Sequence, residues 1–402
     1  MKYDFTSIID RAGKDALAID PGKDSVYRKG IAVKDGLDHI PMWVADMNFP
    51  ACPTIVEAMQ KRVQHPAYGY FTPREEYYKA IINWQKKRNN VKGLKPENIG
   101  YENGVLGGVI SALRVMCSNG GKVLVHRPTY CGFTSVLENN GFTAVHTTLV
   151  RDGQGIWRMN YEEMETLLRE QDIHAAIFCS PHNPTGRVWE RWEIEKAMEL
   201  FRRYDVFVVS DEIWSDLILE GHEHIPTQSV SSDAKNRTVA LYAPSKTFNL
   251  AGLVGSYHII YNKWLNDRVL KESSLCHYND MNVISMHALM GAYCKEGMEW
   301  TDELCSVLTG NTSFAYDFIN RNFEGVTLSR PQGTYLLYLD CNEWLKEKGI
   351  TLDDLLKRGY GCGVDWQDGR MFLMEGTIRM NLALPESRVE EAFRRLKKYV
   401  FI

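Results

Sequence analysis

The sequence predicts an α/β fold: a mostly parallel central sheet with helices on both faces, joined to a smaller α+β domain. Three observations predict it. Short continuous apolar runs alternate with helical segments through the middle of the chain. Unusual polar residues stand directly after several of those runs, where ligands lie in open α/β sheets. The 402 residues exceed what one hydrophobic core ordinarily serves, and the pattern changes to long helices from about Cys276.

The elements follow in order. GKVLVHRP (121–128) reads as a buried strand, and CGFTSVLENN (131–140), closed by Gly141, as a helix. FTAVHTTLV (142–150) is a second strand, and the apolar spacing of YEEMETLLREQ (161–171) is helical. AAIFCS (175–180) is a third strand. WERWEIEKAMELFRRYD (189–205) is an amphipathic helix with Trp192, Ile194, Ala197, Met198 and Phe201 along or near one face. VFVVSDEI (206–213), TVALYA (238–243) and GSYHIIY (255–261) complete the strands. Upstream, YENGVLGGVISALRVMC (101–117) leads glycines into a helix, a geometry that offers backbone N–H groups to an anion. Beyond Cys276 come helices over roughly 284–322, a strand TYLLYLD (334–340), a helix near 351–359, GTIRMNLAL (376–384) and a last helix ESRVEEAFRRLKKYV. The expected division is an N-terminal segment 1–45 packing with the small domain, a large domain 46–283 and a small domain 284–402.

Composition narrows the function classes. Hydrophobic residues make up 44% and charged residues 24%, the balance of a globular protein. A net charge of −4 offers no basic field for nucleic acid or an anionic membrane. No run approaches the length of a membrane span. The first twenty residues carry early acids and no apolar leader core, so a signal peptide is not expected. Nine cysteines are scattered without CxxC pairs, which suits reduced thiols in cytoplasm. HEH (222–224) lacks a third ligand and reads as a loop, so no metal is expected. GYGCGVDWQDGR (359–370) reads as a loop of the small domain.

Taken singly, the candidate residues have plain explanations. Lys246 after a strand is ordinarily a solvated loop residue. Asp211 alone suits a cap or an ion pair, and Asn183 a turn in NPTG. Tyr130 is by default a core aromatic. Gly104, Gly107 and Gly108 are a weak signal, and Arg379 could pair on a sheet face. Together they change meaning. Asn183, Asp211 and Lys246 follow one another at strand ends, 28 and then 35 residues apart. Pyridoxal phosphate asks for a Schiff-base lysine, an acid for its pyridine nitrogen, a donor to its ring hydroxyl, an aromatic against the ring and an amide nest for its phosphate. An amino-acid substrate adds an arginine for its carboxylate.

NPTG with its following Arg187, SDE (210–212), SKTFNLAG (245–252) and the late Arg379 resemble the fold-type I, class I/II aminotransferase superfamily. PMWVADMNFP (41–50), AYGYF (67–71), RPTYCGF (127–133), SPHNPTGRVW (180–189) and HIPTQ (224–228) look like its MalY/PatB branch, the cystathionine β-lyase-like C–S lyases. The resemblance spans nearly the whole chain. It implies Lys246 as the Schiff-base lysine, Asp211 as the pyridinium partner, Asn183 as the ring-hydroxyl donor and Tyr130 as the stacking aromatic. Gly104, Val105 and Leu106 would form the phosphate turn, with Ser245 a phosphate contact. Tyr70, or alternatively Tyr68, would reach the phosphate of a neighbouring subunit in a homodimer. Arg379 would bind the substrate carboxylate, with Asn183 and Trp43 also facing substrate.

Three positions depart from many aminotransferases. Ala243 stands where a phosphate-binding serine is common, Val254 where an arginine is, and Trp214 where a tyrosine is. These departures favour the lyase branch. The expected activity is β-elimination from cystathionine or another S-substituted cysteine, giving thiol, pyruvate and ammonia. An aminotransferase is the alternative, for which Arg74 or Arg187 could serve as a second arginine. A regulatory binding protein on the same scaffold is the alternative of another class.

Overall fold

The computed structural model describes residues 1–20, 31–275 and 279–402; Cys276 and part of the N-terminal segment lie outside the described residues. Strand β1 (Ile40–Pro41) belongs to a small pair described below. The large sheet is built from β2 (Ile99–Asn103), β3 (Lys122–Arg127), β4 (Thr143–Arg151), β5 (Trp157–Met159), β6 (Ile173–Cys179), β7 (Phe207–Asp211), β8 (Thr238–Tyr242) and β9 (Gly255–Ile259). Their order is β2-β9-β8-β7-β6-β3-β4-β5. The stretch from β8 through β4 is parallel. β9 runs antiparallel to both β2 and β8, and β5 antiparallel to β4.

The strand sequences explain why this sheet is covered on both sides. Within β6, Ala175, Ile177 and Cys179 join one apolar cluster, while Ala176 and Phe178 join another. β7 divides the same way, with Val209 on one face and Val208 on the other. Alternation of two apolar sets reads in sequence as an unbroken apolar run. The first face is sealed by Val109, Leu113 and Val269 from helices Val105–Met116 and Lys263–Ser274. The second is sealed by Met164, Ile194, Ala197 and Phe201 from helices Tyr161–Glu170 and Arg191–Arg203.

The C-terminal part holds a four-stranded sheet of β10 (Thr327–Leu328), β11 (Leu336–Asp340), β13 (Gln367–Asp368) and β14 (Thr377–Asn381), ordered β10-β11-β14-β13. β12 (Val364–Asp365) pairs in parallel with β1. The 28-residue helix Lys295–Asn322 joins the two regions. Its Trp300, Leu304 and Leu308 enter the core shared with the large sheet, and its Ala315 and Ile319 enter the core of the small one. The N-terminal stretch also touches both. Phe5 packs edge-on to Phe49 at 5.2 Å and beside Trp300. Asp38 is held by Arg388 and Arg395 of the last helix, each at 2.7 Å. No helix among the described residues is long and apolar enough to cross a membrane.

Candidate active site

A cavity of about 590 Å³ opens where the carboxyl ends of β2, β6 and β7 meet the turns after β3 and β8. Its walls include Gly104, Val105, Leu106, Tyr130, Asn183, Asp211, Lys246 and Arg379. Eight of the residues singled out from sequence therefore share one space.

Each wall has a local cause. Gly104 precedes helix Val105–Met116 at φ +78°, a left-handed conformation that glycine takes without strain, and the helix has no side-chain cap there. Its first turn therefore faces the cavity as a set of backbone donors. Tyr130 caps helix Cys131–Asn139, and its ring meets Phe133 edge-on at 5.4 Å. A Cβ on Gly132 would lie 2.4 Å from Tyr130 Cε1, so glycine lets the ring lie there. Burial pushes the Tyr130 hydroxyl up to about 12.

Asp211 ends β7 and is buried. Its Oδ1 accepts from the Ile213 backbone at 3.1 Å. Burial pushes its carboxyl up to about 7, against the Ile213 hydrogen bond; the neighbouring Glu212 charge adds to the rise and Lys246 opposes it. Lys246 sits in the short helix Pro244–Thr247 after β8, and Nζ donates to Ala45 O at 2.9 Å. Nζ also stands 5.7 Å from the centre of the Trp214 ring. Burial, with Arg379 second, lowers this ammonium to about 8, while Asp46 and Asp211 pull the other way.

Arg379 comes from the middle of β14 and is buried. Nη1 donates to Asn183 Oδ1 at 3.1 Å and Nη2 to Trp43 O at 3.0 Å. Nη2 also donates to Gln367 Oε1. The guanidinium lies 4.6 Å from the Phe372 ring centre. Thus Asn183, from the turn after β6 of the large sheet, and Arg379, from the small sheet, meet in the wall of the cavity.

The other expected residues lie elsewhere. Trp43 is buried, its Nε1 donating to Ala18 O at 3.1 Å, so it meets Arg379 through its carbonyl. Ser245 is half-buried beside Lys246 and is not among the cavity's lining residues. Tyr68 and Tyr70 are exposed, and Tyr68 Oη donates to Val63 O at 2.9 Å. Arg187 is not in the cavity. It is buried against Glu193, with Glu190 at 3.0 Å and Trp157 O at 3.0 Å. His224 of HEH is taken by Glu212 at 2.8 Å.

Sequence reading missed Gln367, Asp15, Leu17, Val44, Ala45 and Asp46, which also line the cavity. Gln367 stands in the stretch read as a plain loop, and only its pairing opposite Arg379 in β13 gives it away.

Comparison with known proteins agrees with this geometry. A sequence model of the family described as aminotransferase class I and II matches residues 40–396. Cystathionine beta-lyase PatB of Bacillus subtilis (strain 168) is 33% identical over 363 residues, covering 90% of this chain and 92% of that protein. Protein MalY of Escherichia coli (strain K12) is 29% identical over 398 residues, covering 97% and 96%. The PLP-bound C–S lyase from Staphylococcus hominis superposes with a TM-score of 0.88 at 28% identity over 98% of each chain. The chain belongs to the aminotransferase class I and II family.

Proposed function

We propose that this protein is a pyridoxal phosphate-dependent C–S β-lyase acting on cystathionine or a related S-substituted cysteine. The observation that carries the proposal is the meeting of Lys246, Asp211, Asn183 and Arg379 in one cavity, each delivered by a different strand end or strand. The lyase names of PatB and the Staphylococcus hominis protein support the same reading.

The residues suit the cofactor. A buried carboxyl raised to about 7 calls for a positive partner, which a protonated pyridine nitrogen supplies. The uncapped helix start at Gly104, Val105 and Leu106 suits a phosphate. Asn183 would donate to the ring hydroxyl, and Tyr130 would lie against the ring. Tyr70, exposed in the single chain, would reach the phosphate from a second copy in a homodimer. When bound, pyridoxal phosphate supplies an electron sink for negative charge at the substrate Cα.

The chain's own groups then divide the work. Arg379, steadied by Asn183 and Gln367, clamps the substrate carboxylate with a planar pair of donors. Lys246, lowered to about 8, is neutral often enough near that pH to take the Cα proton at Nζ. Asp211 would hold its charge against the protonated ring nitrogen. The Cβ–S bond would break with its electron pair leaving on sulfur as a thiolate, which the Lys246 ammonium, carrying the Cα proton, would protonate to the free thiol.

Lys246→Ala tests this directly. Turnover should fall at least about 10³-fold, as expected for loss of a general base, with the far-ultraviolet circular dichroism unchanged. An unaltered rate would remove Lys246 from the mechanism.

A further inference from the structure

The stretch Trp43–Met47 touches both halves of the active site through its backbone. Ala45 O accepts from Lys246 Nζ at 2.9 Å, and Trp43 O accepts from Arg379 Nη2 at 3.0 Å. The stretch is irregular: it leaves the β1 pairing at Pro41 and enters no other strand. Inside the stretch the backbone makes one hydrogen bond, Asp46 N to Val44 O at 2.9 Å, so side-chain donors do most of the holding.

Two asparagines supply them. Asn381 ends β14, two residues beyond Arg379, and is buried. Its Nδ2 donates to Val44 O at 2.9 Å and to Asp46 O at 2.5 Å. Its Oδ1 accepts from the Ala383 backbone at 2.8 Å, which turns the amide so that its donor side faces the stretch. Asn249 stands three residues beyond Lys246. Its Oδ1 accepts from Met47 N at 3.1 Å while its Nδ2 donates to Met47 O at 3.0 Å. Asn249 does this at φ +58°, a left-handed conformation that asparagine tolerates better than most residues. Arg11 adds a third tie, to Met47 O at 3.0 Å and Asp46 Oδ2 at 2.6 Å. The two residues that hold the stretch are thus chain neighbours of the two residues it serves.

We infer that Asn249 and Asn381 are positioning residues. They hold the backbone of Trp43–Met47 so that Ala45 O orients Lys246 and Trp43 O orients Arg379, coupling proton transfer on the large domain to carboxylate binding on the small one. The inference rests on the proposed roles of Lys246 and Arg379. Releasing the stretch takes Ala45 O and the Asp46 carboxylate away from Lys246; both favour its ammonium, so the lysine then titrates lower.

The test compares the full-length wild type with Asn249→Gly, Asn381→Ser and Asn311→Ala. Glycine keeps the left-handed backbone at 249 without strain, so that variant keeps its fold. Asn311 is the control. Its Nδ2 donates to Leu382 O at 2.9 Å and Leu384 O at 2.8 Å, the same chemistry away from the stretch. Lys246 reactivity is read by competitive acylation across pH on cofactor-stripped chain, followed by peptide mass analysis. The cofactor-loaded chain gives kcat and KM. Asn249→Gly and Asn381→Ser should shift Lys246 titration downward by about one unit, speeding its labelling about fivefold near pH 7, and lower kcat/KM about tenfold. Asn311→Ala should lower the melting temperature and leave Lys246 labelling alone. Wild-type labelling in both test variants, whatever their melting temperatures, would overturn the inference. Absence of pyruvate release by the wild type would instead defeat the lyase reading, while the labelling still decides the positioning role.

Discussion

Asp211 shows how stability and function oppose each other at a single residue. Its carboxyl is raised to about 7 in the folded chain, from an ordinary value near 4. The folded state therefore binds this proton more tightly than the unfolded state. Without cofactor, this group costs nothing below about pH 4, weakens the fold as pH rises from 4 to 7, and costs a constant amount above that. The full span is about 4 kcal/mol at most. Asp211→Asn should raise the melting temperature of cofactor-free chain at pH 8 and abolish turnover. A lower melting temperature would show that the charge is compensated.

Arg379 is the complementary case, a buried cation held by Asn183 Oδ1, Trp43 O and Gln367 Oε1. Lysine cannot reproduce a planar fork. Arg379→Lys should lower kcat/KM about 10²-fold, mostly through KM, by loss of a buried charge-assisted pair. Lys246, Asp211 and Asn183 were legible because their chemistry lies in side chains at spaced strand ends. Ala45 was not, because any residue could supply the carbonyl that meets Lys246; Trp43 was expected to face substrate, and it meets Arg379 through its backbone oxygen. Arg187, considered as a second substrate arginine, is instead neutralised by Glu193 and Glu190 beneath β5. Adjacency to NPTG could not distinguish those uses.

At the scale of elements, apolar runs flanked by helices located β3, β4, β6, β7 and β8 to within a few residues. β2 was absorbed into the helix that follows it, because Ile99–Asn103 offers few apolar residues to mark a strand. β9 was found, but its reversed direction was not, since strand sense leaves no trace in an apolar run. The helices expected over roughly 284–322 are two, Val283–Ala292 and Lys295–Asn322. The first lies unusually close to helix Pro53–Val63. A Cβ at Gly291 would stand 2.6 Å from Thr54 O and 2.9 Å from Ile55 Cα. Backbone cannot yield as a side chain can, so Gly291→Ala should destabilise the fold by about 1–3 kcal/mol. Denaturant midpoints would show it, and an unchanged midpoint would mean that the two helices separate freely.

At the scale of the molecule, the cavity lies between two sheets with separate cores, bridged by the helix Lys295–Asn322 and by the Trp43–Met47 stretch. That arrangement suits a site where one domain holds the cofactor and the other the substrate. The two-part organisation was legible from length and from the change of pattern late in the chain. The N-terminal segment was harder to place, because Phe5 enters the core shared with the large sheet while Asp38 pairs with the last helix. Tyr70 projects into solvent from a single chain, consistent with the proposed loan of this side chain to a second copy. Sedimentation should show a dimer at micromolar concentration, and Tyr70→Ala should weaken cofactor retention about tenfold, the loss of one hydrogen bond to a charged group. Retention unchanged from wild type would remove Tyr70 from the phosphate site.

The most direct test is product analysis. Purified, cofactor-loaded protein is mixed with L-cystathionine without any keto acid, and pyruvate and free thiol are measured together. Continuing release of both in equal amounts is the predicted result. No pyruvate, with amino transfer appearing only when 2-oxoglutarate is added, would contradict the lyase reading and make the protein an aminotransferase.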